Sequence, residues 1–130
     1  MTADNISLTQ AEWSVMERLW EEGPLTGREM TARMEARCGW SRSTTLTLLG
    51  RLEAKGAVAG TAGAKGPKVF SPVLRREDAA LRETEDFLDR VYHGSLSLMV
   101  SALTKKQALS REELDQLYEL LKGLEGERHA

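Results

Sequence analysis

Residues 42–51 bring together side chains that can donate hydrogen bonds to a polyanion, in the order Arg-Ser-Thr-Thr-Leu-Thr-Leu-Leu-Gly-Arg. At helical spacing, one stripe of this segment is mostly apolar and consists of Thr45, Leu48, Leu49 and Leu52. The opposite face carries Arg42, Ser43, Leu46, Thr47 and Gly50. Guanidinium and hydroxyl groups bond to phosphates and base edges, and the major groove admits a helix. The pattern therefore predicts a helix that reads DNA.

Two further cations follow in a stretch that is typical of a β-hairpin. Ala57–Gly60 and Val69–Ser71 have strand character, and Gly63–Pro67 between them has the glycine and proline content of a turn. Lys65 lies in that turn, and Lys68 directly precedes the second strand. A basic hairpin beside a groove-reading helix is suited to gripping the flanking phosphates.

The positive charge of the chain is concentrated in this same segment. The formal net charge of the whole chain is −2, which by itself argues weakly against a nucleic-acid partner. Residues 26–72 nevertheless hold eight basic and three acidic residues, whereas residues 1–25 carry a net charge of −4 and residues 73–130 one of −3. The distribution favours a DNA-binding patch. A solvated surface of mixed charge is the alternative interpretation.

Three helix starts share one pattern, a hydroxyl residue followed three positions later by glutamate: Thr9 with Glu12, Thr26 with Glu29, and Ser110 with Glu113. In such a capping box the two side chains satisfy backbone N–H groups that have no partner inside the helix. Together with apolar periodicity and glycine or proline stops, the pattern predicts helices over 10–22, 27–37, 41–55, 75–92 and 111–124. A short apolar helix is expected over 95–103, followed by a polar turn at 104–107.

The helix at 41–55 has one competing interpretation, because threonine-rich apolar runs also form buried strands. Its length, the serine at position 41 and the glycine at position 56 favour a helix. On that interpretation Leu46 points to solvent. It either packs against a thymine methyl group in the groove or is an isolated surface leucine.

The order of helix, helix, helix and hairpin is that of a winged helix-turn-helix domain, which we assign to residues 1–73. The predicted fold class is mainly α with a small β-hairpin, and residues 74–130 form a separate helical domain. The apolar stripes of that domain are too extensive for three short helices to bury. A second copy of the chain would cover them, or they would fold back on the first domain; we favour dimerisation. The expected interface residues are Leu88, Val91, Leu98, Leu114, Leu117 and Leu121.

Other classes of function have no support in the sequence. No Ser/His/Asp set, phosphate-cradling glycine motif or metal-spaced cluster is present, so neither an enzyme nor a cofactor or metal site is expected. Cys38 is the single cysteine, which fits a reducing cytoplasm. No run reaches the roughly 18 apolar residues of a membrane span, and residues 1–6 lack the basic and apolar regions of a secretory signal.

Two motifs carry a family resemblance. Residues 8–20 read Leu-Thr-x-Ala-Glu-Trp-x-Val-Met-x-x-Leu-Trp. Residues 44–56 read Thr-x-x-Thr-Leu-Leu-x-Arg-Leu-x-x-Lys-Gly, and Phe-Ser-Pro follows at 70–72. Together they resemble the penicillinase repressor family, which contains the beta-lactamase and methicillin-resistance repressors and related copper-responsive repressors. The resemblance extends over essentially the whole chain.

The resemblance implies a homodimeric repressor that binds a palindromic operator in double-stranded DNA, with the 41–55 helix in the major groove and the wing on the backbone. Combined with the surface pattern above, it gives the expected DNA contacts as Arg28, Arg42, Ser43, Thr44, Leu46, Thr47, Arg51, Lys65 and Lys68. The competing hypothesis is a winged-helix module that binds another protein and no DNA, which the modest net charge favours.

The sequence departs from the family in two places that concern induction. In the lactam-responsive members the resemblance implies a sensor protease as partner and cleavage at an Asn-Phe bond, but the corresponding stretch here is Val100-Ser101-Ala102-Leu103. The copper-responsive members carry paired cysteines near the C-terminus as copper(I) ligands, and this chain has only Cys38. Neither inducing route has its characteristic residues in this sequence.

Overall fold

The computed structural model describes residues 6–129 and divides into two compact units between Asp86 and Phe87. The first unit holds α1 (Gln10–Glu22), β1 (Leu25–Thr26), α2 (Gly27–Cys38), α3 (Arg42–Lys55), β2 (Val58–Ala62), β3 (Lys68–Pro72) and the first part of α4 (Arg76–Tyr92). The second unit holds the rest of α4, α5 (Leu96–Lys105) and α6 (Arg111–His129). Residues 1–5, which belong to the predicted first domain and to the stretch expected to lack a signal, lie outside the described residues.

Side-chain caps fix where α1 and α2 begin. Thr9 Oγ1 accepts from the Glu12 N–H at 3.1 Å, and Glu12 Oε1 accepts from the Thr9 N–H at 2.8 Å. Thr26 and Glu29 repeat this arrangement at 3.1 and 2.9 Å. Two of the three predicted capping boxes are thus confirmed, and with them the first residues of α1 and α2. At the third, Ser110 Oγ accepts from the Glu113 N–H at 3.1 Å.

The predicted hairpin is present and belongs to a three-stranded antiparallel sheet of order β1-β3-β2. Its two strands pair from Val58 opposite Pro72 to Ala62 opposite Lys68. The sequence interpretation missed β1, in which Leu25 pairs with Phe70. A strand of two residues is too short to show the alternation of apolar and polar side chains that indicates a strand.

The hydrophobic core lies in the first unit and is built from the inner faces of α1, α2 and α3 closed by the sheet. Its largest fully buried apolar side chains are Met16, Leu19, Met30, Met34, Leu49, Leu52 and Leu74. The predicted stripe of α3 is confirmed, since Thr45, Leu48, Leu49 and Leu52 are all buried. Burying one face of α3 leaves its other face free.

A tryptophan cluster attaches the start of α4 to α1. Trp13 and Trp20 meet edge to face with ring centroids 5.2 Å apart, and Trp20 Nε1 donates to the Leu74 carbonyl at 2.9 Å. The Arg76 guanidinium lies about 6 Å from both rings and bonds to Glu17 Oε1 at 3.2 Å. These contacts extend the first unit beyond the wing.

The second unit has a different character, because none of its described side chains from Phe87 to 126 is buried. Two of its helices are longer than predicted. Helix α5 continues through Lys105, within the expected polar turn, and α6 continues past Leu124 to His129. The predicted end of α6 was Leu124 because that residue is the last of its apolar stripe.

Candidate nucleic-acid interface

The N-terminus of α3 is exposed and rich in hydroxyl groups. Ser41 caps the helix by accepting from the Thr44 N–H at 3.2 Å, and its own hydroxyl donates to Thr44 Oγ1 at 3.0 Å. Ser43 Oγ lies 3.2 Å from Ser41 Oγ. Free backbone N–H groups and hydroxyls at a helix N-terminus form a natural site for a phosphate or a base edge.

The structure brings the predicted α3 residues together on one exposed face opposite the core. The exposed members are Arg42, Ser43, Thr44, Thr47, Gly50 and Arg51. At Gly50 a Cβ would meet nothing within 4 Å, so no contact inside the protein requires a glycine there. This face carries hydrogen-bond donors from Arg42 to Arg51.

Leu46 corrects the sequence interpretation, which had placed its side chain in solvent. It is half-buried and packs against the core. A Cβ on Gly27 would lie 3.1 Å from Leu46 Cδ2, so the leucine covers the first residue of α2. The partner is nineteen positions away in the chain, which is why helical periodicity alone assigned the side chain to solvent.

This contact also locates Arg28. The arginine follows Gly27 in the first turn of α2 and is exposed. Because Leu46 touches Gly27, the start of α2 lies beside the first half of α3. The backbone of Arg28 is therefore close to α3.

The two wing lysines occupy different environments. Lys65 is exposed in the turn between β2 and β3. Lys68 is the first residue of β3, opposite Ala62 at the turn end of the hairpin, and its Nζ bonds to Glu53 Oε1 at 2.9 Å. Sequence reasoning did not single out Glu53, because no local pattern links the end of α3 to a residue fifteen positions later.

Four exposed cations lie on α3, in the first turn of α2 and in the turn of the wing. Among the ion pairs of residues 6–126, none involves Arg28, Arg42, Arg51 or Lys65. The lysine at position 55 and the arginines at 18, 33 and 76 are instead paired with glutamates. The unpaired cations mark the exposed face of α3 and the wing as a site for a polyanion.

A half-buried ion pair anchors the C-terminal end of α3. Lys55 Nζ lies 2.5 Å from Oε1 of Glu12, whose side chain is 1% exposed, and 2.9 Å from the Ser7 carbonyl. Burial raises the pKa of Glu12, but hydrogen bonds from Lys55 and Thr9 outweigh this and hold the pKa below its usual value. The carboxylate is therefore ionised at neutral pH and ties α3 to α1.

The described part of the chain contains no group of three or more His, Cys, Asp or Glu side chains placed to hold a metal ion. Within those same residues, no helix has both the length and the apolar content needed to cross a bilayer.

Residues 8–123 match the family model described as "Penicillinase repressor". The chain is 30% identical over 114 residues to the penicillinase repressor of Bacillus licheniformis, covering 88% of each protein. The chain belongs to the penicillinase repressor family. It is also 26% identical over 116 residues to the methicillin resistance regulatory protein MecI of Staphylococcus aureus strain N315, covering 88% of this chain and 92% of MecI.

A solved structure of a family member bears on the interface. It is the monomeric form of the Bacillus licheniformis repressor BlaI in complex with the blaP half-operator. The TM-score is 0.50 with 26% identity, over 56% of this chain and 88% of that one. The present chain is thus a DNA-binding transcriptional repressor of winged-helix fold, and the relatives named above are repressors rather than enzymes.

Proposed function

We propose that this repressor acts in the cytoplasm as a homodimer on a two-fold symmetric operator, with α3 of each protomer in a major groove. The observation that carries the proposal is the exposed face of α3, together with four exposed cations that form no ion pair among residues 6–126: Arg28, Arg42, Arg51 and Lys65. A helix covered on its apolar side and exposed on its donor side has the geometry of a recognition helix.

The candidate residues lie in different environments, and we assign their roles from these environments. Ser43 and Thr47, exposed on the middle of the free face, are placed for base edges, and Arg42 reaches a base or a phosphate from the first turn. We assign Arg28, at the start of α2, and Lys65, in the turn of the wing, to contacts with the DNA backbone. Arg51 takes the same backbone role, and Leu46 contributes by packing α3 against α2.

The second unit supplies the proposed dimer interface. Five of its predicted interface residues have substantial exposure or line an open groove of about 940 Å³: Val91, Leu98, Leu114, Leu117 and Leu121. Leu88 is half-buried. A surface this rich in exposed leucine is typical of a protein interface. A two-fold interface uses the same patch twice, which fits one apolar stripe per chain.

Repression then follows from occupancy of the promoter. Two recognition helices related by a two-fold axis contact half-sites separated by about 10 base pairs or a multiple of that distance. The bound dimer excludes RNA polymerase from the overlapping promoter. A sensor protease would have to cut this repressor at a bond other than Asn-Phe, because α5 contains Val100-Ser101-Ala102-Leu103 and no such bond.

The decisive experiment is a DNase I footprint of the purified protein on the DNA upstream of its own gene. We expect two protected half-sites related by two-fold symmetry, and binding that weakens steeply as salt rises. No protection and no duplex binding at low salt would refute the proposal and favour the protein-interaction module.

Matched variants test the division of roles. Thr47→Ala should relax the preference for the operator over unrelated DNA. Lys65→Met should weaken binding to the operator and binding to unrelated DNA to a similar extent. Thr104→Ala removes an exposed hydroxyl from α5 and serves as the control. The assignment of Thr47 to base reading fails if its variant loses affinity equally for every sequence.

A further inference from the structure

Lys68 has a partner inside the protein. Its Nζ lies 2.9 Å from Oε1 of Glu53, in the last turn of α3, and 5.3 Å from the centroid of the Phe70 ring. The two charged side chains are 47% and 35% exposed, so solvent reaches the pair without separating it. The contact joins the first residue of β3 to the end of the recognition helix.

Gly60 leaves the space through which the lysine reaches the helix. It pairs with Phe70 in the β2–β3 ladder, and Lys68 projects from the same face as Phe70 because it lies two residues earlier. A Cβ at position 60 would collide with Lys68 Cε and would lie 2.6 Å from Glu53 Oε2. Any side chain at this position would displace the lysine from the glutamate.

We infer that Glu53, Gly60 and Lys68 form a clamp that sets the position of the wing on α3, and that Lys68 is a positioning residue rather than a phosphate contact. The inference rests on the proposed function and deepens it, because it assigns the two wing lysines separate tasks. Lys65 in the turn holds DNA, and Lys68 at the start of β3 holds the wing in the orientation that allows this.

The charges support this division. A phosphate group approaching Lys68 would have to compete with a carboxylate already bonded to it, and would be repelled by that carboxylate. Lys65 has no ion-pair partner among residues 6–126. Counterion release on DNA binding should therefore come from Lys65 and not from Lys68.

The first test measures fluorescence anisotropy of a labelled duplex carrying the footprinted site across a salt series. Lys68→Met, Glu53→Gln and Gly60→Ala should each weaken binding by about two- to fivefold, the range of a solvent-accessible ion pair. The slope of log affinity against log salt should stay near the wild-type value. The matched control, Lys65→Met, should reduce that slope by about 0.9.

The sign of the Glu53→Gln effect separates the two assignments of Lys68. If Lys68 contacts phosphate, removing the neighbouring carboxylate frees the lysine and tightens binding. That result would overturn the clamp. If the clamp operates, Glu53→Gln loosens the wing and weakens binding in spite of the removed negative charge.

A charge exchange tests the contact itself. Glu53→Lys combined with Lys68→Glu keeps the net charge and restores an ion pair across the same gap. We expect the double variant to bind more tightly than either single variant. A double variant no better than the worse single variant would contradict the clamp.

Hydrogen exchange of the free protein gives a readout that needs no DNA. The amides of residues 58–62 and 68–72 should exchange faster in Lys68→Met and Gly60→Ala than in Lys65→Met. If the wild-type protein binds no duplex, the proposed function fails while this measurement still tests the clamp. Equal exchange in all three variants would show that the clamp does not hold the wing.

Discussion

The two units of the chain use apolar side chains in opposite ways. In the first unit, the buried apolar residues from Ile6 to Ala79 form one closed core. In the second, the described residues from Phe87 to 126 include no buried side chain, and Leu98 and Leu121 are 56% and 49% exposed. The first unit can thus stabilise itself, whereas the second gains from a partner that covers its leucines.

Leu49→Ala is the strongest test of the closed core. The side chain is fully buried on α3, so its truncation should lower the free energy of unfolding by about 3 kcal/mol. The loss should not depend on protein concentration, because the contacts are within one chain. Chemical denaturation at two concentrations measures it. A concentration-dependent loss would mean that the core of the first unit is shared between protomers.

Leu121→Glu is the corresponding test of the open unit. A charge in the centre of a proposed apolar interface should raise the dimer dissociation constant by at least about 30-fold. Sedimentation velocity over a concentration series measures the shift. Binding to a duplex with two half-sites should fall with it, while binding to a single half-site is retained.

Gln107→Glu is the control for this experiment. It adds the same single charge in the turn between α5 and α6, outside the leucine stripe. We expect it to leave the dimer intact. If Leu121→Glu is as dimeric as this control, the exposed leucines of α6 are not the interface.

The sequence predicted contacts between residues that are close together in the chain and missed contacts between residues that are far apart in it. The caps at Thr9 and Thr26 were predicted from partners three positions away, and the buried stripe of α3 followed from periodicity. Leu46 was misassigned because its contact, Gly27, belongs to another helix. The Glu53 partner of Lys68 was missed for the same reason.

The candidate site was likewise predictable only where the interacting residues are close together in the chain. Residue types on the free face of α3 were readable from spacing, since solvent exposure is the complement of a buried stripe. Which cations are neutralised by glutamates was not readable, because salt bridges such as Lys55 with Glu12 join residues 43 positions apart. The sequence therefore predicted which face of α3 is exposed, and the structure showed which of the nearby cations form ion pairs among residues 6–126.

Glu12→Gln tests how much the ion pair between Glu12 and Lys55 contributes to the stability of the first unit. Glutamine preserves the capping geometry but leaves Lys55 without its carboxylate, so we expect a loss of about 1–2 kcal/mol at pH 7. The folded-state pKa of Glu12 lies below its ordinary value of 4.5, so this stabilisation is present above about pH 4.5 and is lost as pH falls through the folded-state pKa.

Thermal unfolding of both proteins from pH 7 to pH 3 measures this dependence. The difference between wild type and Glu12→Gln should shrink on acidification, because wild-type Glu12 then becomes protonated as well. Glu29→Gln is the matched control, since Glu29 completes the same capping box on the surface. The Thr26 N–H lowers the pKa of Glu29, so its effect has the same sign, and we expect it to be smaller. An equal effect would mean that Lys55 adds nothing.

Gly50→Ala tests whether the exposed polar face of α3 contacts DNA. The open face of the second unit is leucine-rich, as a protein interface requires, whereas the open face of α3 is polar and includes a glycine that no internal contact demands. Alanine should stabilise the helix by about 0.5–1 kcal/mol and raise the melting temperature by about 3 °C. If this face lies in a groove, the added methyl group crowds the DNA, and the more stable variant binds the operator less tightly. A variant with higher melting temperature and unchanged affinity would place Gly50 outside the contact surface.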